Sequence, residues 1–361
     1  MSALEYKPDW EEIKQRYAAW WRREKMDRCL LWVEAPKENL PDEPPPTAPE
    51  DTERLWTDLD YLSAANDYRM RRTFYAAEAF PIWSPGYPGH IAIPTFYGCP
   101  FKLDRGTGWH EAILTDEKLD VSGLKLDRQG KWWRFGDELL RRAREESAGK
   151  SIPSMCAIFG CGDTLGMLRG NERLLFDIAD APAAVRRAEL ALMDDWFGVF
   201  EHQTNLLCDG GGEYATWFPI WAPGRFYPTQ CDVSYGISPK AFRECFVPAL
   251  EKQVAWLDHA IYHLDGTGAF HLVEEVCKID GIYAVQVLPG TGKPGPLHYM
   301  DVLKTVQHMG KGLHITISPQ EIPEALSRLS SRGLFIHTWA SSQTEAMKIV
   351  EQAARLSVDR G

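Results

Sequence analysis

His263 and Asp265 stand two residues apart in Tyr262–His263–Leu264–Asp265–Gly266, and in an extended strand that spacing puts both side chains on one face. An imidazole and a carboxylate together can hold a cation, and the thiol of Cys231 would complete a three-ligand zinc site with an open fourth position. A hydrogen-bonded interior pair without metal uses the same two residues. Cys231 is set apart from the other cysteines by its polar flanks, Gln230 and Asp232. An adjacent carboxylate raises a thiol pKa unless a cation compensates, so ligation fits Cys231 better than unaided nucleophilic attack. His314, in Leu313–His314–Ile315, and His337, at the end of an apolar run, have the chemistry of a general acid or base. Gln286 can orient a substrate, while Glu34, Cys161, Asp163 and Gln230 are further polar groups beside apolar runs. Trp221 and Tyr227, with Trp83, Tyr87, Phe96, Tyr97, Trp217, Phe218 and Phe226, would give a binding site its aromatic wall, and Arg225 is a further substrate-binding candidate beside them.

These residues must be positioned by something, and the patterning supplies it. Apolar runs of strand length occur at 29–33, 80–83, 154–159, 214–220, 260–264, 282–287, 313–317 and 334–337. Helical periodicity falls at 10–26, 57–79, 137–147, 182–205, 239–259, 269–277, 299–309, 322–331 and 343–356. Eight strands separated by helices predict an α/β fold, a (β/α)8 TIM barrel, whose site lies at the C-terminal strand ends. The polar residues named above sit near or just after those ends, except His314, which lies inside its run. An open doubly wound sheet is the rival, but no glycine-rich nucleotide fingerprint follows the first strand. The chain reads as one domain spanning 1–361, with an N-terminal helix within 1–29, a proline-rich surface loop at 37–56, an aromatic-rich insertion near 84–135 and a glycine turn at 210–212.

Composition narrows the function. The 361 residues carry 40 Lys+Arg against 51 Asp+Glu, a net charge of −11 that opposes nucleic acid and anionic lipid. No run of about 18 apolar residues suggests a membrane span, and residues 1–22 do not read as a signal peptide, so the expectation is a cytoplasmic protein. Eight cysteines without a C-x-x-C pair read as reduced thiols. The expected partner is a small molecule, with no nucleic acid and no membrane; a homodimer is compatible with the charge.

Three stretches resemble the uroporphyrinogen decarboxylase superfamily, in particular its corrinoid (cobalamin)-dependent methyltransferases. Leu168–Arg169–Gly170–Asn171–Glu172 with Leu175 and Asp177 is similar to the family's LRG-x-E-x-LL-x-D segment. Ile237–Ser238–Pro239–Lys240–Ala241–Phe242–Arg243–Glu244, following Gln230–Ser234 and leading to Pro248, resembles its S-P-x-x-F-x-E-F helix start. Tyr262–Gly266 resembles the strand that ends in H-x-C in zinc-dependent members, with Asp265 in place of the cysteine. The likeness spans about residues 150–350. It implies a barrel methyltransferase that moves a methyl group between a small substrate and a corrinoid carried by a partner protein, with zinc as a Lewis acid. His263, Asp265 and Cys231 would anchor the metal, Gln286, His314 and His337 would act on the substrate, and Trp221 and Tyr227 would wall it. Arg28–Asn39 has one Arg and two Glu where the decarboxylases are arginine-rich, so uroporphyrinogen is not the implied substrate. A lyase acting on a small sugar-like molecule, or a non-catalytic ligand-binding barrel, is the alternative on the same scaffold.

Overall fold

A buried carboxylate joins the first helix to the first strands. In the computed structural model, which describes residues 4–209 and 212–360, Glu78 is fully buried and accepts from Arg28 at 2.7 and 2.9 Å, from Arg16 Nε at 2.5 Å and from the Leu31 amide at 2.8 Å. Most of the turn expected at 210–212 lies outside the described residues. The Tyr17 hydroxyl donates to the Glu78 carbonyl at 2.9 Å, and Lys7 reaches the Tyr75 and Ala77 carbonyls. The helix Trp10–Trp21 is thereby fixed with Trp10, Ile13, Tyr17, Trp20 and Trp21 buried.

The strands are β1 (Leu30–Pro36), β2 (Thr73–Ala77), β3 (Ile82–Trp83), β4 (Phe101–Leu103), β5 (Gly108–His110), β6 (Ile152–Pro153), β7 (Phe226–Gln230), β8 (His259–Asp265), β9 (Ala284–Leu288), β10 (Gly312–Thr316) and β11 (Leu334–Trp339). Seven form one sheet in the order β2-β1-β11-β10-β9-β8-β7, parallel except for the antiparallel β1–β2 pair. β3 pairs with β6, and Ser154 bridges to Ala215. The fold is therefore mixed α/β with a mostly parallel sheet, and among the described residues its ladder is not closed into the expected continuous ring of eight. Pro81, Pro85, Pro88 and Pro153 withhold ladder donors where the second and third strands would pair. Pro228 is tolerated in β7 because β7 is an edge of the sheet.

Several expected elements differ. The strand expected at 154–159 lies earlier, as β6 with a single bridge at Ser154, and residues 155–160 form no strand. The helix expected at 57–79 stops at Arg72, because Thr73–Phe74–Tyr75 is β-branched and aromatic and pairs with β1. The strand expected at 214–220 is reduced to the single bridge at Ala215, and the sheet strand is Phe226–Gln230. The helix expected at 239–259 is two helices, Pro239–Cys245 and Val247–Trp256, broken ahead of Pro248, and β8 begins at His259. The region 84–135 holds a short helix, Ile93–Phe96, and the β4–β5 hairpin. Buried Arg169 secures its return by donating to the Leu114, Asp116 and Glu117 carbonyls and to Asp177.

Alternation along the strands makes two cores. Tyr262, Leu264, Val285, Val287, Leu313, Ile315, Leu334 and Ile336 face the surrounding helices, whereas Leu30, Trp32, Phe226, Ile261, Ala284 and Phe335 join the N-terminal helix in a second cluster. No helix among the described residues is long and apolar enough to cross a membrane. Arg28→Met, which leaves Glu78 short of its two-pronged partner, is expected to lower the unfolding free energy by about 3 kcal/mol, read from urea denaturation. An unchanged midpoint would remove the anchoring role from this pair.

Candidate active site

Register places four polar side chains side by side on the inner face of the sheet. Gln230 on β7 stands beside His263 on β8, His263 beside Gln286 on β9, and Gln286 beside His314 on β10. His263 Nδ1 is hydrogen-bonded to Gln286 Oε1. With the amide oxygen accepting, Nδ1 carries the proton and Nε2 keeps a free lone pair. The Trp217 ring meets the His263 ring edge-on at 5.2 Å.

Asp163 reaches this row from another element. The turn Phe159–Gly162, with Phe159 at φ 58 and Gly162 at φ 82, delivers it as the first residue of the helix Asp163–Arg169. Glycine is required at 162, because a Cβ there would stand 2.4 Å from Cys231 Sγ. Asp163 is buried and accepts from Gln230 Nε2 at 2.5 Å and from the Asp232 amide at 2.7 Å. The same Gln230 nitrogen lies 3.4 Å from Asp232, so one amide spans two carboxyls. Burial, then the neighbouring Asp232 charge, holds the Asp163 carboxyl well above the ordinary carboxylate range. Asp232, at the exposed rim, is also pushed up, by enclosure and by Asp265, against the pull of His263. Below them the fully buried Glu189 accepts the Gly162 amide at 3.0 and 3.1 Å, and burial pushes its carboxyl up to about 7.

His314 is fully buried between Phe218 at 4.9 Å and Phe335 at 4.8 Å, and neither ring nitrogen has a hydrogen-bond partner. Burial holds it well below the ordinary histidine range; His337, 6.2 Å away and near Trp32, is pushed down to about 4. Both imidazoles are neutral near pH 7.

The sequence-expected residues divide accordingly. His263, Gln286, His314, Gln230 and Asp163 come together; Asp265 lies one inward position beyond His263, and its Oδ1 is buried without a partner. Glu34, two residues before the end of β1, stands beside Trp339 of β11, where burial raises its carboxyl and Arg69 draws it down. Trp221, Arg225 and Tyr227 lie elsewhere. Since the strand begins at Phe226, Trp221 and Arg225 precede it: Trp221 packs on Trp10 and Tyr17, and Arg225 pairs with Asp258 over Trp256. Tyr227 points into the helix-side core, where its hydroxyl accepts from the Ile158 amide at 2.9 Å.

Cys231 follows Gln230 and points the opposite way, into the helix-side core with Tyr262. Burial raises its thiol well above the ordinary value, with the Asp163, Glu189 and Asp232 charges adding to the shift. It does not face His263 and Asp265, and among the described residues no three His, Cys, Asp or Glu side chains form a group able to hold a metal. The expected His263–Asp265–Cys231 set does not fit a three-ligand zinc site. Glu189 is the participant that sequence reasoning missed. Its signal was its register, four residues after Val185 and three before Leu192 on the buried helix face.

No protein-family model matches the chain, and no curated protein matches it. Among solved structures, a methyltransferase from Methanosarcina mazei is similar in fold, with a TM-score of 0.62 and 12% sequence identity, covering 95% of this chain and 98% of that one.

Raising the Glu189 pKa in the folded state means that the native protein binds this proton more tightly than the unfolded chain does. Its contribution to stability is complete below the ordinary carboxyl pKa and is lost as pH rises toward about 7. Glu189→Gln, which keeps an acceptor for Gly162, is expected to remove on the order of 3 kcal/mol of pH-dependent loss between pH 4.5 and 8. Urea midpoints at those two pH values check it, and parallel shifts in variant and parent would refute it.

Proposed function

We propose that this protein is a methyltransferase-like enzyme that moves a methyl group between a small molecule and a corrinoid carried by a partner protein. One observation carries the reading: a single register row across parallel strands, Gln230, His263, Gln286 and His314, with Asp163 and Asp232 held beside Gln230 at the C-terminal end of β7. A chain-long likeness in fold to a methyltransferase supports it. The ladder gap notwithstanding, the scaffold is read as a (β/α)8 barrel interrupted at its second and third strands, forming one domain.

A corrinoid, when bound, supplies a reversible carrier for the methyl group. Exposed rings at Tyr87, Tyr235 and Trp339, which follow or end β3, β7 and β11, suit a flat macrocycle presented by a partner. The chain's own residues have separable tasks. Gln286 fixes the His263 ring and its tautomer, leaving Nε2 to take a proton from an acceptor group or, once protonated, to return one to a leaving heteroatom. Trp217 and the edge-on contacts of Phe218 and Phe335 with His314 exclude water from the inner end. No step is routed through zinc, because the donor set does not converge.

The paired carboxyls favour a second reading, acid–base lyase chemistry on a small polar molecule, with Asp163 as the protonated partner. Transfer assays with cob(I)alamin, free or on a corrinoid protein, and a panel of methyl ethers, thioethers and methylated amines separate the two. The expected result is appearance of methylcobalamin, with His263→Ala slower by about 100-fold. Absence of transfer across the panel, with elimination of a polar substrate lost in Asp163→Asn, would replace the first reading by the second.

A further inference from the structure

A second polar group faces the mouth toward the other end of the sheet. Glu34 on β1 stands in register with Tyr75 on β2 and with Trp339 on β11, and one inward position below it Trp32 stands between Ala77 and His337. Residues in register on one face lie within side-chain reach, so Glu34, Tyr75 and Trp339 share one patch of the inner surface. Tyr75 and Trp32 belong to the same inner cluster, and the Trp32 and His337 rings are 5.8 Å apart. His337 in turn lies 6.2 Å from His314, which ends the register row of His263 and Gln286. The two polar groups therefore line one continuous surface. Trp339 is 54% exposed and Glu34 and His337 are partly exposed, so the patch opens to solvent.

The innermost polar atom of this patch has no use in the fold. Tyr75 is 5% exposed, and its hydroxyl is buried without a hydrogen-bond partner. Buried phenols ordinarily find a partner, and phenylalanine would fill the same space without the cost of an unmet hydroxyl. Glu34, its register neighbour, forms no ion pair among the described residues; burial raises its carboxyl against the pull of Arg69 and Trp32. Arg69 is turned elsewhere, donating through Nη2 to Asn66 Oδ1 and to the Ile82 carbonyl. The patch thus sets one unused donor, the Tyr75 hydroxyl, beside a carboxylate with about four acceptor sites. An ammonium would bring donors alone and a carboxylate acceptors alone. A hydroxyl brings both and completes the pair.

We infer that this patch is a substrate subsite for a hydroxyl group, and that the small substrate is an uncharged, hydroxylated, sugar-like molecule whose hydroxyl donates to Glu34 and accepts from Tyr75 beside the Trp339 ring. The subsite stands on the strand register and the unmet hydroxyl, whereas its place in a reaction rests on the methyl-transfer reading. In that reading the substrate is a methyl ether of such a molecule. The bond between the methyl carbon and the ether oxygen breaks, and its electron pair stays on oxygen, which takes the proton of protonated His263 and leaves as an alcohol. The methyl group goes to the reduced corrinoid of the partner, which provides the electron pair for the new bond. Glu34 and Tyr75 hold the substrate away from the bond that breaks and so set specificity.

Calorimetric titration of the full chain at pH 7 tests the class with four probes of one shape: 2-methoxycyclohexanol, methoxycyclohexane, the cationic 2-methoxycyclohexylamine and the anionic 2-methoxycyclohexanecarboxylate. The alcohol is expected to bind about tenfold or more tightly than each of the others. Tyr75→Phe is expected to bring the alcohol within about twofold of methoxycyclohexane, with the affinity for methoxycyclohexane and the unfolding midpoint unchanged, because the hydroxyl removed has no partner in the fold. Glu34→Gln is expected to weaken binding of the alcohol alone, by about threefold or more. Equal binding of the alcohol and methoxycyclohexane, tighter binding of the amine or the carboxylate, no binding of the alcohol at about 10 mM, or a preference that survives either substitution would each overturn the inference. A lowered midpoint in Tyr75→Phe would make the hydroxyl structural and overturn it as well. Methyl transfer to cob(I)alamin from ethers without hydroxyl preference would remove the subsite and keep the proposed reaction. Hydroxyl preference without methyl transfer would keep the subsite and remove the reaction.

Discussion

Every assignment in this molecule depends on the two-residue period of its parallel strands. A residue facing the narrow inner face has neighbours two positions away on the same strand and in register on the next, while its immediate neighbour faces the helices. Parity therefore puts His263 and Asp265 together and turns Tyr262 and Leu264 away. It also separates Gln230 from Cys231, so that the amide enters the site and the thiol enters the helix-side core. A one-residue slip in β7 would exchange them. Gly162 and the buried Cys231 interlock closely enough that such a slip has no space.

The two ends of the sheet are specialised by the same geometry. At the N-terminal end, Trp10, Tyr17, Trp20 and Trp21 close over Phe226 and Phe335, and Glu78 ties their helix to β1 with its charge matched by Arg16 and Arg28. Placing a buried carboxylate there is tolerable because Arg28 binds it through two nitrogens and a backbone amide supplies a further donor. At the C-terminal end the carboxyls lack such partners. The rigid end supports the reactive one, which is why an acidic cluster can persist at the rim without a compensating cation.

Much of this was legible in the residues. The late strands β8 to β11 read clearly because each is a short apolar run between glycine or proline stops, and their inward polar residues, His263, Gln286, His314 and His337, stood out against those runs. The region before β7 was harder to read. Tyr214–Ile220 has strand-like composition, yet Pro219 and Pro223 deny it a ladder, and its apolar residues Phe218 and Ile220 pack instead into the second core. Moving the strand from there to Phe226–Gln230 inverts which residues stand at its C-terminal end. Trp221 and Arg225 leave the rim on that account, and Gln230 keeps its place. Cys231 was misjudged for a different reason: its polar flanks describe the loop around it, and only register tells where a thiol points. Asp232 lay in plain view beside it, but its role depends on Asp163, 69 residues earlier, and no spacing rule connects the two.

Satisfied and unsatisfied polar groups then divide structure from chemistry. Arg169, buried and bonded to three carbonyls and to Asp177, ends its hydrogen-bonding capacity within the protein, and so does most of Glu78. The LRG resemblance is therefore a resemblance in scaffolding: Arg169 holds the insertion 111–117 in place and leaves the rim's charge untouched. By contrast, Asp163 is held by an amide and a peptide N–H, both neutral, so its ionisation is opposed by burial and by Asp232 with no full positive charge to offset them. Such an arrangement is costly to an isolated fold. A proton retained on Asp163 relieves that opposition.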